Sequence, residues 1–302
     1  MPEPMRAFAL DSFDSPPRLR DDMPEPRPAD NELLVRVQAS SVNPVDAAIA
    51  GGVLKEMVEH EFPVTLGRDF AGVVEQTGNE VYGFLPASNP TVHEGSWTEL
   101  ITVPEDDFAA AKPRNLDMAS AGVAPLAGIT ALAARDALAP TRDETVLVIG
   151  ATGGVGSFFV QLAAGAGAHV IAPAFPEDEE YLRDLGATEI LDRNADLEAT
   201  LRDRHADGVD AILDLVSYTP QDSLLKEGGR LASPLGAAGD GPQRFNLTAE
   251  PSPSNLQRLS ELLDNRTLRV HVQESYELAR AAEALQELSG SHTQGKLSLR
   301  IA

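Results

Sequence analysis

The chain has no cysteine among its 302 residues. That absence excludes disulfides, thiolate nucleophiles and every cysteine-based zinc centre. Lysine is almost missing too, with Lys55, Lys112, Lys226 and Lys296 the only four. Against 24 basic residues stand 47 acidic ones, giving a net charge of −23. So negative a surface repels nucleic acid and anionic lipid, and neither is expected as a partner. No apolar run approaches the ~20 residues of a membrane span. The start, Met1-Pro-Glu-Pro-Met-Arg6, has no basic segment leading into an apolar one, so no secretory signal is read and a cytoplasmic location is expected by default. The acidity has two open readings: a salt-rich cytoplasm whose ions screen self-repulsion, or an acidic mesophilic protein that uses arginine for lysine. Neither G-x-S-x-G nor G-x-x-x-x-G-K-[ST] occurs, so hydrolase and P-loop chemistry are poor expectations. The six histidines (60, 93, 169, 205, 271, 292) lie far apart with no i, i+4 pair. Each is expected to be a surface or packing residue rather than a metal ligand.

What is present is concentrated in one segment. Thr145-Val-Leu-Val-Ile-Gly150 leads through Ala151-Thr152-Gly153-Gly154-Val155-Gly156 into an alanine-rich helical stretch ending near Ala168. An apolar strand, a glycine-rich bend and a helix start together describe the first βα unit of a dinucleotide-binding fold. A pyrophosphate needs backbone N–H groups at a helix N-terminus, and a side chain at the bend would hold it away. In this reading Gly153 permits close approach of the backbone and Gly156 lets the helix pack on the strand. Ala151 takes the place of the first glycine of G-x-G-x-x-G. Residues 151 to 156 are therefore the predicted cofactor-binding bend.

The first hundred or so residues read as strands and turns, with Met5–Ala9, Glu32–Gln38, Phe70–Glu75 and Thr98–Val103 as strands. Pro16-Pro17 and the segment Pro24–Pro28 read as turn or linker. Ala119–Leu138 reads as one buried helix. Strands and helices then alternate from Val146 to Ser233, implying a parallel sheet with right-handed crossovers. Ser254–Leu263 has helical spacing. The tail reads as strand Leu268–Gln273, helix Leu278–Leu288 and strand Lys296–Ile301, rejoining the first domain. The predicted division is 1–118 for a β-rich domain, 119–267 for the dinucleotide-binding domain and 268–302 for the return.

Several stretches, in order, resemble the zinc-independent medium-chain dehydrogenase/reductase family near the NADPH:quinone oxidoreductases. They are Ser40-Ser-Val-Asn43-Pro-Val-Asp46, Gly67-Arg-Asp-Phe-Ala-Gly72, Val81-Tyr-Gly-Phe84, Gly95-Ser-Trp-Thr-Glu-Leu, Pro125-Leu-Ala-Gly128-Ile-Thr130, Gly150–Gly156, Leu185-Gly-Ala187, Asp214-Leu-Val-Ser217, Gly228-Gly-Arg-Leu and His292-Thr-Gln-Gly295-Lys296-Leu. The resemblance implies an α/β protein, a GroES-like β-rich barrel domain carrying a Rossmann doubly wound parallel-sheet domain. It further implies an active site in the cleft between them, a small-molecule substrate and a homodimer. Zinc-dependent relatives carry a Cys and a Gly-His-Glu among their metal ligands. Here the latter position reads Gly67-Arg68-Asp69, so no zinc is expected.

The activity implied is hydride transfer from NADPH, with NADH possible, to a quinone or similar electron-poor conjugated carbonyl. The alternatives are an enoyl-thioester or alkenal reductase, or a nucleotide-binding scaffold without turnover. Asn43 is the first candidate catalytic residue, since its amide can donate to substrate or cofactor; a turn with Pro44 is the other reading. Thr130 corresponds to a family position near the nicotinamide ribose. Asp46 orients substrate or caps the helix-like segment after it. Tyr82 lines the substrate pocket or packs in the core. Val216, Ser217, Ser233 and Leu235 follow strand ends, where open α/β sheets bind ligands, and the resemblance adds Lys296 as a cofactor residue.

Two departures from the family pattern bear on cofactor and substrate. After Val170-Ile-Ala172, NADPH-dependent relatives often carry Ser and a basic residue. This chain has Pro173-Ala-Phe175-Pro-Glu177-Asp-Glu-Glu180, whose carboxylates would repel a 2′-phosphate, with Arg183 the nearest cation. Gly78 runs directly into Asn79-Glu-Val-Tyr82, where relatives have a longer connection; the loop is either short or lacks residues.

Overall fold

The computed structural model describes residues 3–56, 60–86, 95–290 and 292–302. Alternation in the first segment produces strands β1 (Pro4–Leu10), β2 (Arg18–Pro24) and β3 (Glu32–Val42), followed by helix α1 (Pro44–Ala50). β4 (Val64–Thr65), β5 (Asp69–Val74), β6 (Glu80–Phe84), β7 (Leu100–Pro104) and β8 (Ala109–Ala111) continue it. β1 pairs with β2 and β4, while β3 pairs with β5 and β7, β5 with β6, and β6 with β8, all antiparallel. β2 lies between two proline-rich stretches and is not announced by the sequence. It is an edge strand in which only Met23 is buried, so it lacks the apolar alternation that marks a half-buried strand. β3 outruns its predicted end at Gln38 and delivers buried Ser40 and Ser41 to the interior. Between β5 and β6, Gly78 N–H donates to Val74 O at 2.8 Å and Val74 N–H to Asn79 O at 2.9 Å. The connection there is a closed, short turn.

The predicted helix over 119–138 is two, α2 (Met118–Val123) and α3 (Pro125–Leu138), because Pro125 has no N–H to continue the ladder. The predicted alternation then follows: β9 (Thr145–Ile149), α4 (Gly154–Gly165), β10 (His169–Ala174), α5 (Glu179–Leu185), β11 (Glu189–Asp192), α6 (Leu197–Arg204), β12 (Val209–Asp214) and β13 (Leu225–Ser233), with an unpredicted short strand β14 (Arg244–Asn246) after it. The sheet order is β11-β10-β9-β12-β13-β14 and every pairing is parallel. Strand order therefore reverses between β9 and β12, the arrangement that opens a ligand crevice at their carboxyl ends. Leu147, Ile171, Ile212 and Leu231 form the centre of this core. α4 is buried from Gly156 through Ala163, as its predominantly apolar composition demands, and the polar Gln161 within it is satisfied by hydrogen bonds.

After α7 (Pro253–Asp264) come β15 (Val272–Glu277), α8 (Ala281–Gly290) and β16 (Lys296–Arg300). The strand predicted at 268–273 begins later, at Val272. Arg269 instead gives its backbone to a side chain: Gln161 Oε1 accepts from its N–H at 2.8 Å and Gln161 Nε2 donates to its O at 3.1 Å. β16 pairs antiparallel with β3, so the tail rejoins the first body of the chain.

Two compact units result. The first comprises Met1–Leu126, Glu250–Asn265 and Val270–Ala302; the second comprises Ala127–Ala249 and Arg266–Arg269. The boundaries differ from the predicted 118/119 and 267/268 chiefly because α7 belongs to the first unit. There Leu256 O, on α7, accepts from the Tyr82 hydroxyl of β6 at 2.6 Å. Among the described residues, no helix is long and apolar enough to cross a membrane.

Candidate functional site

In the second unit, the glycine-rich bend leaves β9 at Gly150, whose φ is +86°, and enters α4 through Gly153. The first amide groups of a helix have no acceptor within it and present partial positive charge. Gly154, Val155 and Gly156 hold those positions. A Cβ on Gly156 would stand 2.2 Å from Gly150 O, so the fold itself requires that glycine. A Cβ on Gly153 would meet only Gly150 O, at 3.6 Å. Nothing in the protein demands glycine at 153, whereas an anion approaching the backbone would. Ala151 and Thr152 are buried beneath the bend.

β12 ends beside β9, with Asp214 paired to Ile149. One carboxylate oxygen of Asp214 accepts from Val216 N–H at 3.0 Å and Ser217 N–H at 2.9 Å, shaping the turn that follows. Its other oxygen is buried without a partner. A buried orphan acceptor calls for a donor, and a hydroxyl supplies one where a phosphate cannot. Val216, Tyr218 and Leu235 expose large apolar surfaces on the loops after β12 and β13. Ser233 is buried, with its Oγ accepting from Leu235 N–H at 3.1 Å, so it shapes the loop. Cradle, orphan acceptor and apolar wall all lie at carboxyl ends of β9, β12 and β13, and together they fit a dinucleotide.

At the end of β10 the electrostatics differ from the sequence expectation. Arg183, the nearest cation in sequence, is held on its own helix by Glu179 at 2.8 Å. Asp178 is fully buried and accepts from Phe175 N–H at 3.1 Å, so its carboxylate faces inward. The cation that reaches this edge is Arg193, whose guanidinium lies 5.0 Å from the centre of the Phe175 ring. Arg193 escapes a reading of the sequence because it is 18 residues beyond Phe175. Parallel pairing of Ala174 with Asp192 places the two strand ends side by side.

In the first unit, Asn43 stands between β3 and α1 in a buried polar nest. Its Nδ2 donates to Ser41 Oγ at 2.9 Å and to Asp69 Oδ2 at 2.8 Å, and its Oδ1 accepts from Lys296 Nζ. Both amide hydrogens are thus committed, and donation to a substrate would displace one of them. Lys296 donates also to Val42 O at 3.3 Å and is buried, so its ammonium braces the interior between β3 and β16. Burial lowers its pKa, opposed by Asp69 and Asp46. Asp69 uses its second oxygen to accept from Leu126 N–H at 2.7 Å.

Asp46 accepts from Asn43 N–H at 2.8 Å, the helix-capping role expected of it, but its Oδ1 is buried and unpartnered. Burial pushes its pKa up to about 7 despite the neighbouring Arg68 cation. Burial also lowers the pKa of Arg68, whose Nε has no partner while Nη1 donates to Pro86 O at 3.1 Å. Tyr82 does not line a pocket. Its ring is fully buried, and its hydroxyl bridges Leu256 O and Ser260 Oγ. Thr130 is buried in α3.

A zinc ion fits poorly among these groups. No cysteine exists, and Arg68 and Lys296 bring two cations to the carboxylates of Asp46 and Asp69. Elsewhere, the structure departs from the expectation for two histidines. His169 and His205 converge on Glu189, at 3.1 Å and 2.8 Å. The residues are separated by 20 and 16 positions from Glu189, so no local motif announces them. His93 lies outside the described residues.

Comparison with known proteins gives relatives of the same fold. Residues 29–113 match the alcohol dehydrogenase GroES-like domain, and residues 185–299 match the zinc-binding dehydrogenase family. The mitochondrial NAD(P)H oxidoreductase RTN4IP1 of Bos taurus is 32% identical over 219 residues, 65% of this chain and 54% of that protein. The matched stretch thus spans about half the bovine protein's length. The chloroplast envelope quinone oxidoreductase homolog of Arabidopsis thaliana is 28% identical over 304 residues, covering 91% of each chain. The structure of the quinone oxidoreductase from Coxiella burnetii superimposes with a TM-score of 0.87 over 99% of this chain and 100% of that one, at 27% identity.

Proposed function

The chain belongs to the medium-chain dehydrogenase/reductase family, and from that premise we propose that it is a zinc-independent, NADPH-dependent reductase of quinones or similar electron-poor conjugated carbonyls. The observation that carries the reading is the β9–α4 bend, where Gly153 is free of any steric demand from the protein itself. When bound, the reduced nicotinamide supplies the hydride, and the protein contributes position and a dry surrounding.

Within this reading the backbone from Ala151 to Gly156 binds the diphosphate at the helix N-terminus. The orphan oxygen of Asp214 takes a hydroxyl of the cofactor, and Val216 and Leu235 exclude water beside it. Arg193, stacked on Phe175 beyond β10, favours NADPH over NADH by pairing with a 2′-phosphate. It offsets the carboxylates that follow Phe175, of which Asp178 is buried and Glu179 is paired with Arg183. Asn43 acts as a positioning group, because Ser41, Asp69 and Lys296 fix its carboxamide on every side. Thr130, buried in α3, orients the nicotinamide ribose. A homodimer in the cytoplasm completes the reading.

The test is NADPH oxidation followed at constant nucleotide with 1,4-benzoquinone, an alkenal and an enoyl thioester as acceptors. Steady turnover with the quinone in chelator-treated protein supports the proposal. Tight nucleotide binding without turnover of any acceptor would make the chain a scaffold, and preference for the thioester would move it to the other reductase class.

A further inference from the structure

We propose that His169, Glu189 and His205 form a binding site for one zinc-type divalent transition-metal ion, at the edge of the parallel sheet opposite the nucleotide bend. His169 and Glu189 are the first residues of β10 and β11. Glu189 pairs with Ile171, two residues beyond His169, so period-two alternation puts both side chains on the same face. His205 caps α6 and is tied to it by a 2.7 Å bond from its N–H to Leu201 O. Three rigid elements thus deliver the three side chains to one point.

The donor set suits the ion. Two imidazole nitrogens and a carboxylate oxygen match zinc, cobalt or nickel, whereas calcium and magnesium want oxygen alone. The ligand atoms all lie within 4.8 Å of one another. Bonds of about 2.0–2.1 Å to a shared ion place neighbouring ligands roughly 3 Å apart. The measured nitrogen–oxygen separations are 3.1 Å and 2.8 Å. Glu189 is already oriented for this purpose. Arg204 Nη1 donates to Oε1 at 2.9 Å, leaving Oε2 directed at both imidazoles. The Arg204 charge also opposes a cation and weakens its binding. The His169 side chain is 38% exposed, which gives an ion access and water to complete its coordination.

The position assigns the role. The site clamps the amino ends of β10 and β11 to the end of α6, while the nucleotide bend follows the carboxyl end of β9. A bound ion therefore stabilises the second unit and takes no part in hydride transfer.

Untagged full-length protein, stripped with chelator, is titrated with Zn²⁺ and with Co²⁺, following heat, Co²⁺ visible absorption and thermal midpoint. One ion per chain is expected, with imidazole-type cobalt bands, a higher midpoint, unchanged quinone reductase activity, and no response to Mg²⁺. Glu189→Gln and the pair His169→Gln/His205→Gln should each weaken zinc at least tenfold. Their circular dichroism without metal shows whether they fold. Equal zinc affinity in a folded variant and the parent, or no saturable binding below millimolar zinc, would overturn the site.

Discussion

Gly150 O lies 2.2 Å from the point that a Cβ on Gly156 would occupy, while the same oxygen is 3.6 Å from a Cβ on Gly153. The two glycines of one bend therefore answer to different demands. Gly156→Ala drives a methyl into backbone and should destabilise the protein by about 3 kcal/mol. Gly153→Ala meets no obstacle, and its extended backbone (φ −72°, ψ 179°) suits alanine. Its stability should stay within about 0.5 kcal/mol of the parent, while its NADPH dissociation constant rises at least tenfold. Denaturant titration and nucleotide fluorescence separate the two. Unchanged NADPH affinity in Gly153→Ala would remove the diphosphate from this bend.

The second prediction concerns nucleotide choice. Arg193→Gln keeps the aliphatic stem over Phe175 and removes the charge. A charge-assisted contact to the 2′-phosphate is worth about 1.5–3 kcal/mol, so KM for NADPH should rise roughly 10- to 100-fold. KM for NADH, which has no such phosphate, should hardly move. Parallel losses for both nucleotides would show that Arg193 supports the loop and not the phosphate.

The sequence makes the second unit more legible than the first, for a physical reason. Strand, bend and helix at 145–165 are consecutive, and the chemistry of the bend is written in adjacent residues. The edge at Phe175 is different. Its cation arrives from β11 through parallel pairing, which no local pattern encodes. Likewise, the bond from Lys296 to Asn43 depends on β16 pairing with β3, and no local pattern announces it. Tyr82 changes meaning because α7 supplies an acceptor 174 residues away. Helix capping by Asp46 is readable, since it needs only the three preceding positions.

The Lys296 brace makes a third prediction. Lys296→Met leaves Asn43 Oδ1 without its donor and Asp69 without its nearest cation, in a region where both residues are buried. Breaking one side of a buried charged pair costs about 3–5 kcal/mol. Urea unfolding should show that loss, with KM for NADPH unchanged if the variant folds. A raised KM without loss of stability would place Lys296 in the cofactor site.

Asp46 carries the fourth prediction, through pH. Burial raises its pKa from an ordinary 3.8 to about 7, so between these values the folded protein binds more protons than the unfolded chain. Its contribution to stability is therefore fully present below pH 3.8 and is lost as pH rises through 7. Asp46→Asn keeps the shape and cannot ionise. Its carboxamide still donates and accepts, so the variant loses the parent's pH dependence while keeping the cap on Asn43 N–H. Moving from pH 5 to pH 8, the variant should gain on the parent by up to about 3 kcal/mol, since each tenfold difference in proton affinity between folded and unfolded chain corresponds to about 1.4 kcal/mol. Urea midpoints for both proteins at pH 5, 6.5 and 8 measure the difference. Curves that remain parallel would mean that the Arg68 charge holds Asp46 ionised throughout, with no pH response.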